Sequence, residues 1–167
     1  MARMIDLNVT TYWWVPAATI TDPSAISAAA LTAAENISQF VHSSTRVMPT
    51  TSDTVSERSI TDTANSVVPT IGNYEGTLVL FRDYTAGTPS ADDPLTTIGS
   101  TAGITGWVVK REGFASTEAA AASQVVEAYL FATDNPQKSG GTGEGYLKVT
   151  IPLHPQGQFD VNSTLVA

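Results

Sequence analysis

Apolar and polar positions in this chain alternate in short bursts separated by turn residues, the pattern of strands rather than of long helices. Residues 10–15, with Tyr12, Trp13, Trp14 and Val15, are β-branched and aromatic and stop at Pro16, so they read as a strand. Two adjacent tryptophans on a strand point to opposite faces. One enters a core, and the other meets a second packed layer, a loop or a neighbouring chain. Trp13 and Trp14 are therefore candidate inter-subunit contacts. Residues 76–84 form the strongest strand pattern, and residues 105–111, 125–131 and 146–153 add three more. Asp22 and Pro23 suit the start of a helix over the alanine-rich residues 25–35, and residues 116–122 suggest a second, briefer helix. Residues 37–48 read as one long strand and 54–62 as its antiparallel partner. Pro49, Thr50, Thr51, Ser52 and Asp53 would form a polar tip between them. Such a hairpin is marginal alone in water, so it must lie on a sheet or be completed by another chain. Residues 85–103 and 134–145 read as loops, and the tail after Pro155 as mostly polar. The expected fold is mainly β: a β-sandwich or barrel with a flanking short α-helix and a long β-hairpin, in a single domain over 1–167.

Composition narrows the function. Lys and Arg number 8 and Asp and Glu 16, giving a net charge of −8, and charged residues make up only 14%. A sparsely charged acidic chain lacks the clustered bases that grip phosphates, which argues against a nucleic-acid reader. There is no cysteine, so disulfides, thiolate metal sites and thiol nucleophiles are excluded. No run of 18 apolar residues suggests a membrane span. The first eight residues do not read as a signal peptide, so a soluble, intracellularly made protein is expected. His42 and His154 have no third partner at metal-ligand spacing. Asp92 and Asp93 before Pro94 read as a solvated turn. Gly140, Gly141 and Gly143 lack the Lys-Ser/Thr of a phosphate loop, and no serine sits in a nucleophile elbow. Nothing points to an enzyme, a metal or a cofactor. Lys110 and Arg111, the one adjacent basic pair, suggest salt bridges at a sheet edge or a subunit interface.

The order of the segments is more telling than any one of them. Asp22 and Pro23 lead through Ala33, Ala34, Glu35, Asn36 and Ile37 into the hairpin. Gly76 is followed by Leu78, Val79, Leu80, Phe81, Arg82 and Asp83. Gly106, Trp107, Val108, Val109, Lys110, Arg111, Glu112, Gly113 and Phe114 lead to the alanine run and residues 125–131. Tyr146, Leu147, Lys148, Val149 and Thr150 precede Gly157. Over most of its length the chain resembles the major tail, or tail tube, proteins of long non-contractile-tailed phages, especially those of actinobacteria. That resemblance implies a small β-sandwich with a flanking helix, assembled into hexameric rings that stack into a tube. It further implies an inner β-barrel lining the channel, with the hairpin, its loop at Pro49 to Asp53 and the termini contacting neighbouring rings. The implied partners are further copies of the chain and the tape-measure, tail-tip and tail-terminator proteins. Genomic DNA would pass through the lumen without specific binding, no membrane would be involved, and the place of action would be the virion tail, after synthesis in the host cytoplasm. An acidic wall suits a channel in which DNA must slide rather than stick. Some of Asp53, Glu57 and Asp62 are therefore expected to face the lumen, although Glu57 and Asp62 are an odd number of residues apart and cannot share a strand face. The alternatives are another virion β-sandwich, such as a capsid decoration or tail-completion protein, or a carbohydrate-binding module using Tyr12, Trp13, Trp14 and Trp107.

Overall fold

The computed structural model describes residues 9–58, 66–139 and 145–167. Along them run β1 (Thr10–Pro16), α1 (Ala28–Ala33), β2 (Glu35–Asn36), β3 (Arg46–Thr50), β4 (Thr54–Glu57), β5 (Ser66–Pro69) and β6 (Asn73–Phe81). They are followed by β7 (Tyr84–Thr85), β8 (Thr88–Pro89), α2 (Pro94–Ile98), β9 (Thr105–Glu112), β10 (Val125–Thr133), β11 (Gln137–Ser139) and β12 (Lys148–Thr164). The expected strands at 76–84, 105–111, 125–131 and 146–153 fall within or across β6, β9, β10 and β12. The mainly-β architecture with a flanking helix is the one observed.

The main sheet has the order β2-β1-β9-β10-β12-β6-β3, antiparallel throughout, with β11 beside the start of β12. It curls on itself. The Ile37 amide donates to the Tyr12 carbonyl on β1, and the His42 amide donates to the Val79 carbonyl on β6. The five residues 38–42 span at most about 18 Å, so these two parts of the sheet lie close together. The enclosed space is filled by Trp14, Leu78, Leu80, Val108, Tyr129, Phe131, Val149 and Ile151. Gly106 leaves room for Trp14 there, because a Cβ would collide with the six-membered ring of the indole.

The other face of β1, β9 and β10 carries a second core. Trp13, Val15, Trp107, Val109, Val126 and Ala128 are covered by Ile26, Leu31 and Leu165. Both tryptophans are thus buried within one chain, Trp13 4% and Trp14 3% exposed. Of the alternatives open for the second indole, the second packed layer is the one observed. The surface a neighbouring subunit would have to reach is already covered.

Tertiary contacts overrule helix propensity twice. The helix expected over 25–35 is confined to Ala28–Ala33, with Ser27 rather than Asp22 at its N-cap position. Asp22 instead accepts hydrogen bonds from the Ser24 amide and hydroxyl. Val166 bonds back to the Ile26 carbonyl at 2.9 Å and accepts from the Ala28 amide at 2.8 Å, holding 26–28 extended against the chain end. Residues 116–122 form short turns and irregular backbone, not a helix. Arg111 is fully buried, and its guanidinium donates to the carbonyls of Ala115, Glu118 and Ala119. Those carbonyls are the acceptors that helical bonding over these residues would need.

The hairpin exists in a different register. β3 pairs with β6 from Arg46 opposite Thr77 to Thr50 opposite Asn73. β4 pairs with β5 from Thr54 opposite Pro69 to Glu57 opposite Ser66. The register is the same in both ladders, so β3–β4 and β5–β6 are two arms of one ribbon, whose outermost described pair is Glu57 opposite Ser66. The expected pairing of 37–48 with 54–62 does not form among the described residues, where 54–57 pair with 66–69 instead. Residues 37–42 are occupied in closing the sheet, and Pro49 lies within β3, an edge strand where a missing N–H is tolerated. Pro49, Thr50, Thr51, Ser52 and Asp53 therefore lie along an arm and not at the tip.

The loop expected over 85–103 and the solvated turn expected at Asp92 and Asp93 are also corrected. Within 85–103 stand the small β7–β8 hairpin and α2. Asp93 is not solvated: it caps α2 by accepting from the Leu95 amide and forms an ion pair with Arg82 at 2.8 Å, both side chains being buried. The tail after Pro155 continues as β12. The ladder with β10 slips between Tyr129 and Phe131, near Gly157 with its φ of 77°. There the Tyr74 hydroxyl donates to the Leu130 carbonyl and accepts from the Gln156 and Gln158 amides. This one side chain supplies the bonds that the slipped ladder lacks.

Candidate assembly surface

The outer half of the hairpin has no core of its own. All eight residues of β4 and β5 are exposed, a state in which a two-stranded ribbon gains little from burial. Even so, it is apolar in part. Of the ten large hydrophobic side chains exposed among the described residues, five belong to this ribbon: Met48, Val55, Val67, Val68 and Ile71. Cross-strand partners share a face, so Val55 and Val68 stand together on one side and Val67 with Ser56 on the other. By alternation within β4, Glu57 lies on the Val55 side. The Asp53 carboxylate accepts from Asn73 Nδ2 at 3.1 Å and its backbone bonds to Thr70 and Ile71, tying the two arms together. Glu57 is exposed. Asp62 lies outside the described residues.

A second exposed apolar group sits at the other end of β6. Tyr146 and Leu147 precede β12 and are 80% and 50% exposed, and Tyr84 is 40% exposed. Tyr146 packs edge-on against Phe81, and the Arg82 guanidinium lies over the Tyr84 ring. Lys148 stands opposite Phe81, and Lys138 stands opposite Val149 on the neighbouring strand. Sequence reading took Tyr146 and Leu147 as strand residues. Their position directly after a glycine-rich segment was the signal that the sheet had not yet begun.

The remaining expected contact residues are used internally. Lys110 makes ion pairs with Glu112 at 3.0 Å and Glu127 at 2.9 Å, and Tyr129 donates to the same Glu127 oxygen. Burial pushes the lysine pKa down, but its hydrogen bonds and attraction to Glu127 and Glu112 outweigh this and leave it raised. Burial pushes the Tyr129 phenol up, and Glu127 pushes it further. Among the described residues, no carboxylate is in hydrogen-bond range of Arg111. Its charge rests on three carbonyls, Gln124, Thr11 and the rings of Trp13 and Phe114. Burial lowers its pKa, and Glu118 partly opposes that. The salt bridge expected of the basic pair is real for Lys110, but it lies on β9, an inner strand between β1 and β10, and not at an edge; Arg111 clamps residues 115–124 onto β9.

A cleft of about 350 Å³ lies where residues 38–45 meet β1, lined by hydroxyl-bearing side chains and His42, whose Nδ1 is hydrogen-bonded to Ser44. Asp134 and His154 form an exposed pair at 3.1 Å that holds the Asp134 carboxyl below its usual range. Among the described residues no three His, Cys, Asp or Glu side chains are grouped as a metal site. No helix among them is long and apolar enough to cross a membrane. Comparison with protein families matches residues 1–167 to the family described as phage tail tube protein. No curated protein matches the chain.

Proposed function

The chain belongs to the phage tail tube protein family, and on that premise we propose that it self-assembles into stacked hexameric rings forming the tube through which the phage genome leaves. Its place is the virion tail. The observation that carries the self-assembly is the outer hairpin: it is an extension of the main sheet, exposed on both faces and apolar on both, which is costly for a chain that remains alone. Copies of the same chain above, below and beside it would cover those faces. The tape-measure protein would fill the lumen during growth, and tail-tip and tail-terminator proteins would close the two ends. The net charge of −8 supports a wall that repels the DNA backbone and lets it slide. The role asks for no catalytic group.

Negative-stain electron microscopy of the concentrated protein tests this reading. Tubes of uniform width with a central channel are the expected result. Closed rings or trimers that never elongate would instead favour a capsid decoration or tail-completion protein. Reversing Asp53, Glu57 and Asp62 together to Lys separates two places for these acids. Slowed DNA ejection through intact tubes puts at least one on the channel wall, and loss of the tubes puts at least one between copies.

A further inference from the structure

We propose that residues 113–124 form a strap that Arg111 latches across Trp13, and that the strap opens as one unit, on fixed ends, while the sheet beneath stays folded. The inference concerns the single chain and does not depend on assembly. Its first support is what holds the strap down. No residue from 113 to 124 is buried, so apolar burial contributes little to keeping it closed. Backbone bonds pin its two ends: the Gly113 amide donates to the Val9 carbonyl at 2.9 Å, and the Ser123 amide to the Leu165 carbonyl at 2.8 Å. Between the ends, Asn36 Nδ2 donates to the Ser116 carbonyl at 3.2 Å. The other hydrogen bonds to the rest of the chain, among the described residues, come from one guanidinium. Arg111 Nη2 donates to the carbonyls of Glu118 at 2.7 Å and Ala115 at 3.3 Å. Its Nη1 donates to the Ala119 carbonyl at 3.1 Å and to Gln124 Oε1 at 2.8 Å. The same Gln124 oxygen accepts the Ala121 amide. Withdrawal of one side chain therefore releases residues 115–121 together.

The second support is that the closed strap carries local costs which opening relieves. Ser123 sits at its end with a φ of 70°, a left-handed conformation unfavourable for a residue other than glycine. Alanines 119–122 favour helix and are held outside it. Arg111 Nε is buried without a hydrogen-bond partner among the described residues. Opening brings water to the whole guanidinium, which offsets part of the bonds lost. The third support is what lies beneath. The guanidinium is 5.1 Å from the ring centres of both Trp13 on the sheet and Phe114 on the strap, so it joins the two layers. Beside it a cleft of about 160 Å³ separates residues 117–120 from Leu31, Thr32 and Ala34, with Trp13 in its wall. The strap closes against this cleft without filling it. Opening thus uncovers Trp13 and Arg111 and leaves every ladder of the main sheet in place.

Amide exchange in the unassembled full chain, followed residue by residue by NMR, tests the strap. The Glu118 amide donates to the Ala115 carbonyl and the Ala121 amide to Gln124 Oε1. Both should exchange through one common opening, faster than the amides of β9 and β10. Arg111→Lys keeps the charge but replaces the planar fork by a single ammonium. It should speed exchange at Glu118 and Ala121 by about tenfold or more, beyond any change in β9 and β10. Acrylamide quenching of tryptophan emission should rise with it, because Trp13 is the tryptophan in the cleft wall. Gln124→Ala carries the same test should the lysine variant fail to fold. It is read at Glu118, since it removes the acceptor of Ala121 itself, and an unchanged thermal transition verifies its fold. Unequal openings at Glu118 and Ala121 in the wild type would mean that no unit exists. Acceleration of β9 and β10 by the same factor as the strap would make the latch part of the global fold. Unchanged exchange at Glu118 in the variants would mean that Arg111 does not hold the strap. Any of these three results overturns the proposal.

Discussion

Arg82 and Asp93 are buried together, with side chains 4% and 0% exposed. The carboxylate takes Arg82 Nε on both oxygens and also accepts from the Leu95 amide and the Asp83 amide. It therefore fixes α2, the β7–β8 excursion and the end of β6 at once. Removing one partner of such a pair leaves a desolvated charge unmatched. Asp93→Asn should therefore cost about 3–5 kcal/mol, measured by denaturant unfolding of the unassembled chain. Its exposed neighbour supplies the control, since Asp92→Asn should stay within about 0.5 kcal/mol. Lys110 gives a pH dependence whose sign is fixed by the raised pKa. A lysine that holds its proton more tightly when folded contributes its full stability below its unfolded value, near 10.5, and loses it as pH rises through the folded one. The raised Tyr129 phenol acts in the same direction, because above about pH 10 the unfolded phenol ionises first. Thermal melts should thus fall steeply above about pH 10 in the wild type and less steeply in Lys110→Met, while melts below pH 9 leave the cluster intact.

At the scale of elements, the hairpin divides into an inner half held by the sheet and an outer half that, among the described residues, is exposed along both strands. The bonds of β3 to β6 lie on the sheet, and Val47 and Tyr74 are buried. The bonds of β4 to β5 join strands exposed along their whole length. Amide exchange should therefore be fast in β4 and β5 and slow in β6 for the free chain, with protection of β4 and β5 rising by orders of magnitude in tubes. Equal protection of β4 in the free and assembled states would refute the dependence of this ribbon on neighbours. The same division explains what was legible. The strands at the centre of the sheet announce themselves because their burial pattern is written locally, as in Leu78 and Leu80 or Val108. The hairpin was legible as an object but not in register: residues 49–53 have turn composition, and nothing local reveals that Thr54 faces Pro69 rather than residues upstream. The alanine runs carried true helix propensity, defeated by partners far off in sequence, Val166 for residues 26–28 and the Arg111 guanidinium for 115–119.

At the scale of the whole molecule, two cores share β1, β9 and β10. One core lies inside the curled sheet, and the other lies beneath α1 and the chain end. That arrangement covers both faces of β1, β9 and β10 within one chain, while the ribbon stays exposed on both of its faces. It also explains why Trp13 and Trp14 misled as interface residues: a sequence shows that two faces are apolar, but not that one chain supplies both covers. The outer ribbon proposed for assembly is, by contrast, weakly apolar and small, so sequence alone gives no reason to single out Val55 or Val68. Folding and assembly should then be separable in temperature. Binding that favours only the folded state raises apparent stability by mass action, about 2.7 kcal/mol when partners are at one hundred times the dissociation constant. Tubes should therefore melt above the free chain, and their melting temperature should rise with concentration. Val55→Ser with Val68→Ser should lower the tube transition toward that of the free chain, which itself should stay where it was, because both side chains are already in water. Calorimetry of the two species checks this. A matching fall in the free-chain transition would mean that the ribbon is part of the folding unit after all, and would move the weight of those valines from assembly to the fold.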